Sequence, residues 1–104
     1  MESDKVQEMQ FLEQGIHNLI LQKQAFQMEL SETESAMKEI GKTNEIYKII
    51  GQLMIKTDKT NIKQELESKK KILELRLKTI EKQESALSEK VEKLQEEFMS
   101  NNQK

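Results

Sequence analysis

The fold is decided by residues 45–57, which read EIYKIIGQLMIKT. β-Branched and aromatic residues dominate this stretch, and a single glycine, Gly51, stands at its centre. That composition predicts a β-hairpin in which Gly51 and Gln52 form a two-residue turn of the type that takes glycine first. Folded in this way, Ile50 faces Leu53 across the turn.

Both faces of the predicted hairpin carry apolar side chains. One face holds Ile46, Ile50, Leu53 and Ile55, and the other holds Tyr47, Ile49 and Met54. A two-stranded hairpin alone in water is only marginally stable, and both of its edges offer unpaired backbone groups. We therefore expect hairpins of several subunits to join into a sheet or barrel that buries these residues. The alternative is that the hairpin folds down on its own coil.

Apolar residues recur at spacings of three and four on both sides of the hairpin. The positions before it are Met9, Leu12, Ile16, Leu19, Lys23, Phe26, Leu30, Thr33, Met37 and Ile40. The positions after it are Leu66, Lys70, Leu73, Leu77, Ile80, Glu84, Leu87, Val91, Leu94 and Phe98. A period of 3.5 residues is typical of a coiled-coil seam, and the two seams have equal length. We expect a mostly α fold: an antiparallel two-helix coiled coil with a β-hairpin between the helices.

The chain reads as a single domain over residues 1–104. We expect helix 1 at about 4–41, the hairpin at about 45–57 and helix 2 at about 60–100. Ser3 or Asp4 is predicted to cap helix 1, and Gly41 to end it. Asn61, followed by Gln64, is the expected cap of helix 2.

Two registers of the coil satisfy the seam. One stacks Met9 on Leu94, and the other, shifted by a heptad, stacks Ile16 on Leu94. In both registers Lys23 and Glu84, two polar exceptions in the seam, fall in neighbouring layers. We interpret this pair as an alignment device, because a polar seam residue can fix register at some loss of stability. The alternative is that each side chain extends to solvent on its own.

A group of apolar residues converges at the end of the coil opposite the hairpin. Its members are Val6, Met9, Phe11, Leu12, Leu94, Phe98 and Met99. Methionine and phenylalanine are bulky and adaptable, and they suit a surface that accepts many apolar partners. We expect this group to form a promiscuous apolar contact surface; the alternative is an ordinary coil end.

Composition excludes several other functions. Lysine and glutamate are mixed along both helices, and the net charge of -2 argues against nucleic-acid binding. Without cysteine, and with His17 as the single histidine, we expect no metal site, no catalytic site and no cofactor. No apolar run is long enough for a membrane span, and the chain begins without an apolar leader segment. These features predict a soluble intracellular protein that is not an enzyme.

Several stretches resemble one known family. Residues 45–56 (EIYKIIGQLMIK) and 73–84 (LELRLKTIEKQE) are similar to the beta subunit of prefoldin, above all in its archaeal form. Residues 22–24 and 28–34 also resemble the first helix of that family. The single hairpin fits a beta subunit, because alpha subunits carry a longer insert with two hairpins.

The resemblance implies a cytoplasmic hexamer of two alpha and four beta subunits, joined by a β-barrel of hairpins. It also implies that the coil tips capture unfolded polypeptides without ATP and deliver them to a group II chaperonin. The function expected from the resemblance is therefore that of a chaperone subunit, with a prefoldin alpha subunit, the chaperonin and unfolded clients as partners. A function of another class also fits the residues: a structural coiled-coil adaptor that binds one defined partner.

Overall fold

The computed structural model describes residues 2–102 of the chain, and the side chains of residues 3–100. Helix α1 spans Glu2–Ile40, strand β1 Ile46–Ile50, strand β2 Leu53–Thr57 and helix α2 Lys59–Asn102. This order confirms the expected arrangement of two long helices with a hairpin between them. No helix in the described part of the chain has a stretch apolar and long enough to span a membrane.

The chain divides into two compact units. The terminal unit joins the first part of α1, up to Ala25, to the last part of α2, from Leu77 onward. The hairpin unit runs from Phe26 to Arg76 and contains both strands. Each unit therefore contains one portion of the predicted seam from each helix.

In the terminal unit, all the predicted seam positions are protected from solvent. Leu12, Ile80 and Leu94 are buried, and the other seam residues of this unit are half-buried. Apart from them, only Lys5 and Gly15 among the described residues of this unit are not exposed. The narrow protected stripe is the signature of coiled-coil packing rather than of a broad globular face.

The hairpin unit shows the same stripe. Leu73 is almost fully buried, and the remaining seam positions between Phe26 and Lys70 are buried or half-buried. Thr33, a polar seam residue, is only 3% exposed, and its hydroxyl donates a 2.8 Å hydrogen bond to the carbonyl of Glu29. Because that donor is paired within the helix, the burial of Thr33 leaves no unsatisfied hydroxyl.

Contacts in the terminal unit identify the register. A Cβ atom placed on Gly15 would lie 3.3 Å from Leu87 Cδ1, so the helices are in close contact there. The register that stacks Met9 on Leu94 places Gly15 opposite Ser88, next to Leu87. The shifted register would place it opposite Gln95, nearly two turns away. The structure therefore has the first of the two registers.

Contacts in the hairpin unit give the same answer. Lys70 Nζ lies 3.7 Å from Glu34 Oε1. The first register places Glu34 opposite Lys69, beside the observed partner, whereas the shifted register would place it opposite Arg76. The Arg76 guanidinium instead lies over the ring of Phe26, 5.6 Å from its centroid, a cation–π distance.

The helix ends differ from the predicted ones by one or two residues. Helix α1 is already helical at Glu2, so Ser3 and Asp4 lie in its first turn and do not cap it. Helix α2 begins one residue earlier than expected, because Asp58 is its cap. The Asp58 carboxylate accepts a 2.8 Å hydrogen bond from the backbone N–H of Asn61, the third residue of the helix. The predicted cap by Asn61 is therefore wrong.

Gly41 follows the last residue of α1, as expected, but without the left-handed conformation of a glycine cap. Among the glycines of the described chain, only Gly51 has positive φ. The end of α1 is closed by Thr43, whose hydroxyl donates a 3.0 Å hydrogen bond to the carbonyl of Glu39. The same carbonyl also accepts a 3.0 Å hydrogen bond from the backbone N–H of Lys42, so this terminal carbonyl is paired twice.

The hairpin has the predicted turn and register. Gly51 has φ of 60°, and Gln52 does not have positive φ, which is the pattern of a type II′ turn. Ile50 pairs with Leu53 and Ile49 with Met54 across the two antiparallel strands. Cross-strand partners share a face of the sheet, so the apolar residues divide between the faces as the sequence predicted.

Lys23 and Glu84 meet inside the seam of the terminal unit. Lys23 Nζ lies 3.2 Å from Glu84 Oε1, and the two side chains are 29% and 21% exposed. The Oε1 atom is buried and accepts no well-aligned hydrogen bond, so the contact is an ion pair in which the ammonium compensates the carboxylate charge. The predicted meeting of these side chains is confirmed.

Exchanging the two charges tests this ion pair. Lys23→Glu or Glu84→Lys alone places like charges together in a partly desolvated layer, whereas the double exchange restores attraction. We expect the double variant to be more stable than the sum of the single effects by about 0.5 kcal/mol or more in thermal melts. The same exchange at the more exposed Lys5–Glu97 pair is the control and should couple less. Strict additivity at positions 23 and 84 would rule out the pairing.

Candidate functional surfaces

The hairpin displays its apolar side chains to solvent. Ile49 and Met54, a cross-strand pair on one face, are 69% and 67% exposed, and Leu53 on the other face is 66% exposed. Tyr47, Ile50 and Ile55 are also exposed, whereas Ile46 is half-buried. So much exposed apolar area on a two-stranded sheet is typical of a surface that another chain covers.

An ion pair connects the hairpin to its own unit. Lys48 Nζ on β1 lies 2.8 Å from Glu65 Oε1 on α2. This contact joins one strand to the helix, and it leaves most apolar residues of both faces accessible. The alternative in which the hairpin buries those residues on its own coil is therefore not what the structure has.

An open groove of about 710 Å³ lies between one face of the hairpin and the outer side of α2. Ile50 and Ile55 line it from the strands, and Ile72 lines it from the helix. Ile72 is 51% exposed, and it was not among the residues predicted to form a contact surface. The sequence did contain an indication of this exposure: Ile72 lies at helical spacing from the polar residues 65, 68 and 69, and therefore on the same face of α2.

The seven predicted residues at the coil end fall into three groups. Val6, Phe11 and Met99 are 44%, 79% and 64% exposed. Met9 and Phe98 are half-buried, and Leu12 and Leu94 are buried. Leu12 and Leu94 occupy seam positions that remain paired in the terminal unit, so a ligand meets the first three side chains and reaches these two only if the helices separate.

Apolar residues outside the seam are exposed elsewhere too. Ile20 and Leu21 in the terminal unit are 37% and 52% exposed, and Met28 in the hairpin unit is 66% exposed. These three side chains form a natural comparison for the coil end, since they have similar chemistry and a different position.

His17 is exposed on α1, and no group of three or more histidine, cysteine, aspartate or glutamate side chains within residues 3–100 is arranged to hold a metal ion.

These features define a class of protein: a coiled-coil subunit whose accessible apolar residues lie on an inter-helix hairpin and on the outer part of the helix pair. The sequence model described as "Prefoldin subunit" matches residues 3–104. The chain belongs to the prefoldin family, which is a family of chaperone subunits and not a known family of enzymes.

Curated relatives named "Prefoldin subunit beta" agree with this assignment. One from Thermococcus onnurineus is 41% identical over 91 residues, which cover 85% of this chain and 78% of the relative. One from Saccharolobus islandicus is 40% identical over 89 residues, with 83% and 71% covered.

A solved structure is similar over almost the whole chain. It is the crystal structure of the prefoldin beta subunit from Thermococcus strain KS-1, with a TM-score of 0.88 and 32% identity. The similarity covers 95% of this chain and 90% of that one. The resemblance seen in the sequence is thereby confirmed in fold as well as in family.

Among the coil-end residues, Leu12 and Leu94 are buried and should stabilise the fold, whereas Val6, Phe11 and Met99 are exposed and should not. Unfolding free energies from thermal melts can test this difference. Leu94→Ala leaves a cavity in the seam and should lower the unfolding free energy by about 2 kcal/mol or more. Phe11→Ala and Met99→Ala remove exposed side chains and should change it by no more than about 0.5 kcal/mol. If Phe11→Ala lowered the unfolding free energy as much as Leu94→Ala does, Phe11 would have to be packed against other side chains.

Proposed function

We propose that this chain is the beta subunit of a cytoplasmic, ATP-independent chaperone that captures unfolded polypeptides and transfers them to a group II chaperonin. In this proposal the subunit works in a hexamer of two alpha and four beta subunits. The observation that carries the proposal is the exposure of apolar side chains in two places, on the hairpin and around Phe11 and Met99, in a member of the prefoldin family.

The hairpin is proposed as the assembly element. Its exposed residues alternate between the two faces, and its strands have one partner each, so both outer edges remain free for pairing. Joining with hairpins of neighbouring subunits would bury Ile49, Leu53 and Met54 and close those edges. A barrel of hairpins satisfies both requirements at once.

The accessible residues of the terminal unit are proposed as the client-binding set. An unfolded polypeptide exposes apolar segments of no fixed sequence, and it can be held by adaptable side chains that need no matching pocket. Val6, Phe11 and Met99 have this character, and their exposure means that the seam does not depend on them. Binding by surface contact also explains how such a chain can work without a nucleotide.

Transfer to the chaperonin and the alpha partner are proposed from membership of the family. The relatives are named as beta subunits, a name that presupposes a second kind of subunit. The single hairpin of this chain agrees with that position in the hexamer.

Replacing Ile49 and Leu53 by aspartate should prevent assembly. Each substitution places an unpaired charge in the proposed inter-subunit sheet, at a penalty of several kcal/mol. We expect the native mass of the complex formed with the alpha subunit to collapse, while helicity by circular dichroism is kept. The control adds the same charge at two polar positions near the strands, Asn44→Asp and Gln52→Asp, and should still assemble. Full assembly of the apolar-site variant would exclude the hairpin as the assembly element.

Removing the accessible side chains of the terminal unit should weaken client protection. Val6→Ser, Phe11→Ser and Met99→Ser together should reduce suppression of aggregation for several unrelated unfolding proteins, with unchanged native mass. Ile20→Ser, Leu21→Ser and Met28→Ser make the matched control, because they remove similar exposed side chains elsewhere on α1. Loss of protection in the control instead would place client binding on the helix surface. Protection of one protein alone would identify an adaptor with a defined partner.

A further inference from the structure

Phe11, the most exposed large apolar side chain of the terminal unit, has acidic neighbours on its own helix face. Asp4 and Glu8 precede it by seven and three residues. Residues at these intervals lie on the same face of a helix, so the ring and the two carboxylates share one exposed stripe.

The same arrangement recurs on α2. Glu92 and Glu96 precede Met99 by seven and three residues, and all three side chains are exposed. Phe11 and Met99, the two most exposed large apolar side chains of the terminal unit, thus each follow a pair of carboxylates at the same spacing.

These carboxylates do not stabilise the helix pair. Among the described side chains, none of Asp4, Glu8, Glu92 and Glu96 forms an ion pair; the ion pair of this region joins Lys5 to Glu97 instead. Within each helix the two acidic residues stand four apart, a spacing at which like charges weaken a helix. The four carboxylates are therefore available to a ligand.

The region as a whole is acidic. Residues 3–13 and 89–99 contain seven carboxylates and three lysines, a net charge of -4, although the full chain carries only -2. Charge gathered around accessible apolar side chains attracts opposite charge over distances of about 10 Å, and it raises the rate of encounter.

We propose that the terminal unit selects unfolded segments in which apolar residues alternate with lysine or arginine, and disfavours acidic segments. This inference rests on the proposed client-binding function and names its substrate class. Apolar residues of the segment lie on Phe11 or on Met99, and its cations pair with the carboxylates beside that side chain. An acidic segment of equal hydrophobicity meets like charge at the same contacts.

Three synthetic peptides test the selection against the full-length chain assembled with its partner subunit. The peptides have one length and share the same leucines, and they carry lysine, glutamine or glutamate between them. We expect the lysine peptide to bind more tightly than the glutamine peptide, and the glutamate peptide most weakly. Raising the salt to about 0.5 M should compress the differences, because screening shortens the reach of the charges.

A neutralised variant assigns the effect to the four carboxylates. Asp4→Asn with Glu8→Gln, Glu92→Gln and Glu96→Gln should bind the lysine peptide on the order of tenfold more weakly, since each exposed pair contributes modestly. Its affinity for the glutamine peptide should stay the same. The control neutralises four exposed glutamates outside the terminal unit, at positions 32, 39, 67 and 74, and should keep the parent's preference.

The results of these experiments distinguish a failure of the charge selection from a failure of the proposed client binding. If the glutamine peptide binds, and the Phe11→Ser and Met99→Ser changes abolish that binding, client capture stands. Equal affinity of the parent for all three peptides would then overturn the charge selection alone, and so would a neutralised variant that keeps the lysine preference. If the parent binds none of the peptides, the client-binding proposal fails, and the selection fails with it.

Discussion

Everything in this molecule depends on the width of its seam. A pair of helices joined along a 3.5-residue stripe covers only about two positions in seven, and the described residues form no third layer over the rest. Leu73 is 2% exposed, whereas Ile72, its neighbour in the chain, is 51% exposed. The buried contacts of the helix pair therefore follow a narrow line, and most large apolar residues outside that line are exposed.

This constraint explains why the elements could be predicted from the sequence. The period of the seam and the glycine of the turn are local signals, and each agrees with the structure: Ile50 pairs with Leu53, and Gly51 has positive φ. The register was harder, because sliding the helices by a heptad still places most apolar residues on apolar ones. The sequence of the hairpin unit contained one indication of the correct register. The observed register puts the polar residues Thr33 and Lys70 in the same layer, whereas the shifted one puts Lys70 opposite Ile40.

The parts of the candidate surfaces that were not predicted have physical causes too. The cap of α2 was assigned to Asn61 although Asp58 stands just before the helix, because asparagine and aspartate are equally good caps and the hydrogen-bond geometry decides. At the coil end, the predicted group combined seam positions with outer ones, and in the structure Leu12 and Leu94 stay packed while Phe11 is exposed. That difference follows from the heptad, where Leu12 occupies a seam position and Phe11, one residue earlier, does not.

The contact between Lys48 and Glu65 bears on how copies of one chain could occupy different positions in an assembly. Both side chains are substantially exposed, at 39% and 51%, and an ion pair in such a setting holds weakly. The ion pair therefore adds little resistance to a tilt of the hairpin against α2. In the proposed assembly of two kinds of subunit, copies of this chain would meet different neighbours, and a hairpin that tilts would allow quasi-equivalent fits without any change of sequence.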